Sequence, residues 1–424
     1  MGLNNLFTRL FLIGGAFQLS LFGFLPYGFK FIGDSILFGL ILVAYLKGFL
    51  KKLPNKFSNV TYIISVTFII YYFMLGLYSI FEWGEVKSTI IWSRRWLIFS
   101  LYLLITSTNF KNLLNKKIIL RYMIFGTLVS ILSIILERDF GINLSGTTTS
   151  YEAQGGLLIV KTFTPGNFLI MVFTLYITVK FLYSFNLRYF IFASFFNSLF
   201  FYTINFRSWW LVFFASIFLS LIVIFWIKFN KEKIKVKKII ILHLIAFSII
   251  LILIALGNTI VLQASSNPRF EWITSAFNDF KNADGNMGTR FDKDTSRIIS
   301  IWESNINQFK LLGVGFVAEG SLGHAFLGFT SETNDSGWVE VLLTGGIVGS
   351  ALFLLVWILN LSRIYKIIKS APTNESIVLF AIWFTSLPLM ISSNPFLWDF
   401  GFIPIIWLYL FSLSEEVRKD GTHG

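Results

Sequence analysis

The chain has 424 residues, of which 55% are hydrophobic and 13% charged, with a mean hydropathy of +0.72. A soluble domain cannot cover its surface with that balance, so an ordinary water-soluble fold is excluded. The net charge of +13 is assigned to loops flanking membrane segments, where Lys and Arg collect, rather than to nucleic-acid binding.

A hydrocarbon core of about 30 Å needs about 20 apolar residues per helix. In lipid the backbone must satisfy its own hydrogen bonds, which favours helices over open strands. About twelve segments qualify, near residues 7–26, 31–49, 60–81, 89–107, 117–136, 166–184, 189–205, 209–227, 239–262, 338–360, 376–393 and 396–414. The expected fold class is therefore an all-α integral membrane protein of about twelve transmembrane helices, with one large outer loop that contains short amphipathic helices. Its organisation is spans one to nine (1–264), the loop (265–337), spans ten to twelve (338–414) and a cytoplasmic tail (415–424). The first apolar segment is too long for an ordinary cleaved leader and reads as a signal anchor.

Orientation follows from charge. With the N-terminus inside, the inner loops collect Lys51 and Lys52, Lys116 and Lys117, the run Lys231 to Lys238, and Arg363, Lys366 and Lys369. Most acidic residues then fall on the other side. The long loop lies outside the cytoplasm, where nucleotide-sugars and ATP are absent. A reaction there needs a donor that is already activated and already across the membrane. The chain has no Walker P-loop, which argues against an ATP-driven pump.

Taken in order, Arg94 and Arg95 come first, inside Ile90-Ile91-Trp92-Ser93-Arg94-Arg95-Trp96-Leu97 near the outer end of the fourth span. Snorkelling to lipid headgroups and binding of an anionic ligand are both open for them. Ser145–Gly156, rich in Thr, Ser and Gly, reads as an outer loop able to touch sugar or act as a lid, and Pro165-Gly166 as the start of the sixth span. Arg207 follows in Asn205-Phe206-Arg207-Ser208-Trp209-Trp210, a very short outer turn between two spans.

In the long loop, Phe270, Ile273, Phe277 and Phe280 recur at helical spacing. So do Ile298, Ile301/Trp302, Asn305/Ile306 and Phe309. These are expected to be amphipathic helices on the membrane face. Asp294 or Thr295 would cap the second, placing Arg297 in its first turn beside free N–H groups that favour anions. Asn282–Gly288 is a turn-rich linker that lacks the rest of an EF-hand ligand pattern. Cysteine is absent and the histidines are only His243, His324 and His423. Thiolate and His-rich metal sites are thereby excluded, and neither a metal nor another cofactor is expected. His324, Glu303 and Glu319 read first as ordinary loop residues, with His324 also able to fold back on a substrate. Gly345, Gly346 and Gly349 give small-residue steps suited to close helix packing.

The series Ser296-Arg297, Trp302, Leu311-Leu312-Gly313-Val314-Gly315-Phe316, Asn334-Asp335-Ser336-Gly337-Trp338 and Gly345-Gly346-Ile347-Val348-Gly349 resembles the O-antigen polymerase and O-antigen ligase superfamily. Phe206-Arg207-Ser208-Trp209-Trp210-Leu211 resembles that family's second signature. The specific motifs cover residues 203–213 and 295–350, and the topology covers the whole chain. The resemblance implies glycosyl transfer from an undecaprenyl-diphosphate-linked oligosaccharide at the outer face of a bacterial inner membrane. In this reading both termini are cytoplasmic, and membrane lipids and a chain-length regulator protein are possible partners.

Arg207 and Arg297 match the family arginines that hold the pyrophosphate, with Arg94, Arg95, Trp302 and His324 as further substrate-binding positions. Guanidinium forks suit that anion, and fixed cations stabilise the charge that develops on a leaving diphosphate. Where ligases of the superfamily carry His-Asn, this chain has Asn334-Asp335-Ser336. Asp335 is then the nearest proton acceptor, which favours a polymerase over a ligase acting on lipid A core. A flippase or other transporter is the alternative of another class. It should show paired half repeats and midplane charges, and no repeat is visible.

Overall fold

The computed structural model describes residues 3–46, 56–84, 115–154, 157–204, 207–230, 306–316, 337–370, 372–390 and 403–409, with isolated positions between 86 and 99 and between 296 and 303. Arg94, Arg95, Arg297, His324 and Asp335 lie outside these residues. So do the expected span at 239–262, the loop helix around Phe270–Phe280 and most of the spans at 89–107 and 396–414.

In chain order the elements are α1 (Leu3–Gln18), α2 (Lys30–Leu46), α3 (Lys56–Trp83), α4 (Lys116–Phe140), β1 (Thr148–Gln154), β2 (Leu157–Phe163), α5 (Asn167–Ser184), α6 (Leu187–Thr203), α7 (Arg207–Asn230), α8 (Asn307–Leu312), α9 (Gly337–Ser370) and α10 (Asn374–Leu389). Five of them, α3, α4, α5, α7 and α9, are long and apolar enough to cross a membrane. Large apolar side chains stand exposed along them, including Ile63, Ile70, Phe73 and Phe81 on α3 and Phe125 and Leu128 on α4. Lipid tails accept such a surface and water does not. The protein is an all-α membrane protein, with one small hairpin among the described residues.

Local chemistry sets several helix ends. The Asn115 side chain accepts N–H bonds from Lys117 and Ile118 at the start of α4, and Gly141 closes that helix at a left-handed φ of 66°. Thr373 and Ser376 form a capping box that opens α10.

One expectation fails here for an identifiable reason. The first span was expected to run to residue 26, but α1 stops at Gln18. Ser20, Leu21, Phe22 and Gly23 then turn with φ of 47°, 41°, 61° and 103°. Side chains of L-residues resist that conformation, so packing has to hold it. Phe22 is buried, and its carbonyl accepts from Ser133 Oγ at 2.8 Å and Thr164 Oγ1 at 3.3 Å. The Gly23 carbonyl accepts from the Gly146 N–H at 3.1 Å.

The segment expected to be an outer loop from Ser145 carries regular structure: Thr148–Gln154 and Leu157–Phe163 pair as antiparallel strands, with Thr148 opposite Phe163 and Gln154 opposite Leu157. The β-branched residues of the Leu-Leu-Ile-Val run favour the second strand. Glu137 anchors the hairpin base: its carboxylate accepts from the Leu144 N–H at 2.7 Å and from Thr149 Oγ1 at 3.4 Å.

The helices fix which residues share an end of the bundle. Ser216 Oγ on α7 and Thr385 Oγ1 on α10 lie 2.8 Å apart in the buried interior. Lys228, near the far end of α7, sits over the Tyr183 and Phe185 rings, and Tyr176 donates to Glu375 at the start of α10. The two helices therefore run antiparallel, and Arg207 and Met390 lie at the same end. The Met390 carbonyl accepts the Gly337 N–H at 2.8 Å, which brings the start of α9 to that end too.

Candidate functional site

The site grows from a break in α9. Gly346 takes φ 59° and ψ −161°, splitting the helix into a short segment, Gly337–Gly345, and a long one. The glycine steps expected to serve close packing do so, but the break itself was not expected. It frees carbonyls that lipid could not satisfy, and other parts of the chain supply the donors. Leu343 O accepts the Val314 N–H at 2.8 Å, and Thr344 O accepts the Gly315 N–H at 3.1 Å. Gly345 O accepts the Tyr71 hydroxyl at 2.7 Å.

The Leu311–Phe316 motif is thus docked, backbone to backbone, into the Gly345–Gly349 motif. The closeness demands glycine on both sides. A Cβ at Gly313 would collide with the backbone of Thr344 and Gly346, and one at Gly346 with Gly313 and Leu311.

One stripe of α3 receives this docked segment. Tyr71, Leu75, Ser79 and Trp83 recur every four residues and so share a face. The Tyr71 hydroxyl lies 3.0 Å from Leu312 O as well as 2.7 Å from Gly345 O. Trp83 Nε1 donates to Val314 O at 3.0 Å. Ser79 Oγ donates to Leu75 O at 2.8 Å and accepts the Phe316 N–H at 2.7 Å. Ser79→Ala would leave that buried N–H without an acceptor. The expected cost is about 1–3 kcal/mol, read as a lower unfolding midpoint in detergent.

Apolar contacts complete the dock. Trp83, Phe309, Val314, Val339 and Leu343 form a small core, with Tyr78 and Ile298 packed against it. The described residues at 296, 298, 299, 302 and 303 are helical, and α8 restarts after Ile306, whose φ of −96° and ψ of 88° interrupt the run. Helical residues are thus described on both sides of Ile306 in the stretch expected to hold the second loop helix. Its Phe309 is buried, whereas Trp302 is 48% exposed and stands at the rim.

Behind the dock lies an aromatic wall. The Tyr72 ring stacks on Trp96 at 3.8 Å, with Phe68 and Phe316 beside it. Glu340, in the first turn of α9, is buried at 6% exposure.

Arg207 opens α7 at the same end of the bundle. Its turn is fixed by Trp210 Nε1, which donates to Ile204 O at 2.6 Å, and by the buried Trp209, edge-on to Phe168. Arg138 also lies at this end, but its charge is engaged. Its guanidinium bonds both Asp139 oxygens at 2.8 and 3.0 Å and Tyr202 O at 2.6 Å.

Of the residues singled out in the sequence, the fold thus places Arg207, Trp302, Gly313–Phe316 and the start of α9 at one end. Glu340, which the sequence suggests as a partner for an outer arginine, is at the start of α9, and the fold adds Tyr71, Tyr72, Ser79 and Trp83 to these residues. The four-residue recurrence of Tyr71, Ser79 and Trp83 within an apolar helix was the signal that could have found the α3 stripe. Among the described residues no cluster of His, Asp and Glu could hold a metal ion. A comparison with protein-family models finds no match, and a comparison with curated proteins finds none.

Proposed function

We propose that the chain is an integral-membrane glycosyltransferase that polymerises undecaprenyl-diphosphate-linked oligosaccharide repeat units. It works at the outer face of a bacterial inner membrane, with about twelve spans, cytoplasmic termini and the 265–337 loop outside. The observation that carries this reading is the gathering of Arg207, the second loop helix with its docked glycine motif, and the start of α9 at one end of an apolar bundle. A lipid-linked diphosphate presents its anionic group at that depth, and guanidinium groups suit it. In this reading Arg207 and Arg297 hold the pyrophosphate, Arg94 and Arg95 add cationic charge, and Trp302 and His324 contact the saccharide. A carboxylate at the opening of α9, Asp335 on the sequence reading, receives the proton of the attacking hydroxyl.

The test is incubation of the purified protein with a synthetic undecaprenyl-diphosphate oligosaccharide, with products resolved by size. A ladder spaced by one repeat unit is expected, and EDTA should leave it unchanged. Transfer that occurs only when a lipid A core acceptor is added would make the protein a ligase. No turnover across several saccharides would overturn the glycosyltransferase reading in favour of a carrier.

A further inference from the structure

The last turn of α4 holds an ion pair that the proposed chemistry does not use. The Arg138 side chain is 3% exposed, against 26% for Asp139. Its Nε and Nη2 donate to the two Asp139 oxygens at 2.8 and 3.0 Å, and its Nη1 donates to Tyr202 O at 2.6 Å. The Tyr202 hydroxyl donates in turn to Asp139 Oδ2 at 2.7 Å. The guanidinium carbon also lies 4.4 Å from the centre of the Tyr202 ring. Two consecutive residues of α4 thus grip Tyr202 at its carbonyl, its ring and its hydroxyl.

Such a pair is a poor way to hold two helices together. Both charges lose water, and apolar side chains of similar volume stabilise as well or better. What the planar fork supplies is direction, because it accepts its partners in one arrangement. Here that direction falls on one short connection. Tyr202 is the second-last residue of α6, and α7 starts five residues later at Arg207. From the other side, the Ile204 carbonyl accepts from Trp210 Nε1 at 2.6 Å, and the buried Trp209 packs edge-on against Phe168. The backbone is therefore tied to α4 at Tyr202 and to the first turn of α7 at Ile204. Three residues of chain reach about 11 Å at most, so Arg207 stays close to both ties.

We infer that Arg138, Asp139 and Tyr202 are positioning residues for Arg207: they set where it meets the diphosphate of a lipid-linked donor and do not touch the donor themselves. The inference rests on the reading of Arg207 as a diphosphate ligand. A cation helps a leaving diphosphate most when it already stands where the charge appears, because moving it there during the reaction would consume the benefit. Arg138 is unsuited to be a second ligand, since its charge is matched by Asp139 and its fork is already committed.

The experiment titrates full-length protein in lipid nanodiscs with undecaprenyl diphosphate and reads its binding, with the unfolding midpoint measured on the same samples. Arg138→Lys keeps the charge and loses the fork, and it should weaken binding about tenfold. Tyr202→Phe removes one of the three grips and should weaken binding about threefold. In an Arg207→Ala background neither should weaken binding further, because a positioning residue acts through the side chain it positions. The fall in unfolding midpoint caused by Arg138→Lys should instead be the same in both backgrounds.

Wild-type binding by Arg138→Lys would overturn the inference. So would a loss of the same size with and without the Arg207 side chain, which would make Arg138 a ligand in its own right or a general structural support. If Arg138→Lys is not recovered folded, Tyr202→Phe decides by the same comparison of backgrounds. Arg207→Ala protein that binds undecaprenyl diphosphate as tightly as wild type removes the diphosphate role of Arg207 itself, and the inference with it.

Discussion

Replacing Arg207 with alanine should abolish polymer formation without reducing the amount of protein in the membrane, and Arg297→Ala should do the same. The argument is about charge that appears during the reaction. As the bond between the sugar and the diphosphate breaks, negative charge grows on the leaving oxygen. A pre-positioned cation lowers that barrier more than it strengthens ground-state binding. Loss of one such donor typically slows the chemical step by about 100- to 1,000-fold, enough to erase a ladder.

The structure explains why the effect should be confined to activity at Arg207. The helix it opens is anchored by the buried Trp209 and by the Trp210–Ile204 bond, neither of which uses the arginine. Lysine at either position should recover part of the rate, because it restores the charge and not the two-pronged geometry. Arg94→Ala and Arg95→Ala should matter less if those side chains reach headgroups rather than substrate. Ladders of wild-type length from Arg207→Ala or Arg297→Ala would remove the pyrophosphate role.

Much of this site could be read from the chain before any coordinates. The hydropathy pattern placed α3, α4, α5 and α7 within about four residues of their ends and found the start of α9, because membrane helices are specified by length and apolarity; α9 runs on past the expected end at residue 360 to Ser370, through the basic segment Arg363–Lys369. Motif order found the two glycine segments. What escaped was set by contacts between distant segments. The early end of α1 depends on Ser133, Thr164 and Gly146 holding a left-handed turn, and none of these lies near residue 20 in sequence. The break at Gly346 was hidden because three glycines in five residues are compatible with a continuous helix as much as with an interrupted one. The Val314 and Gly315 N–H groups, about thirty residues upstream, and the Tyr71 hydroxyl on α3 make the interruption tolerable.

Gly346→Ala should be the most destabilising single substitution in the described part of the chain, and Gly313→Ala should nearly equal it. Both positions take φ in the left-handed region, 59° and 79°, where a side chain adds about 1–3 kcal/mol of strain. Each added methyl would also meet backbone atoms of the other's segment. Backbone in a docked segment cannot rotate aside as a side chain can, so the dock has to open. The combined loss should be about 3 kcal/mol or more, seen as a lowered unfolding midpoint in tryptophan fluorescence.

Controls separate this from a general intolerance of alanine. Gly28→Ala, which meets nothing within 4 Å, should stay within about 0.5 kcal/mol of wild type. Gly349→Ala should fall between, since its nearest neighbour is the Tyr72 hydroxyl rather than backbone. The double variant Gly313→Ala/Gly346→Ala should cost less than the sum, because one opening relieves both collisions. A fully additive double variant would mean that the two glycines act separately, and that the loop helix bearing Trp302 is positioned by something other than the broken helix. If the dock positions it, Gly346→Ala protein that remains folded should also lose the ladder, although every residue proposed to touch substrate is intact.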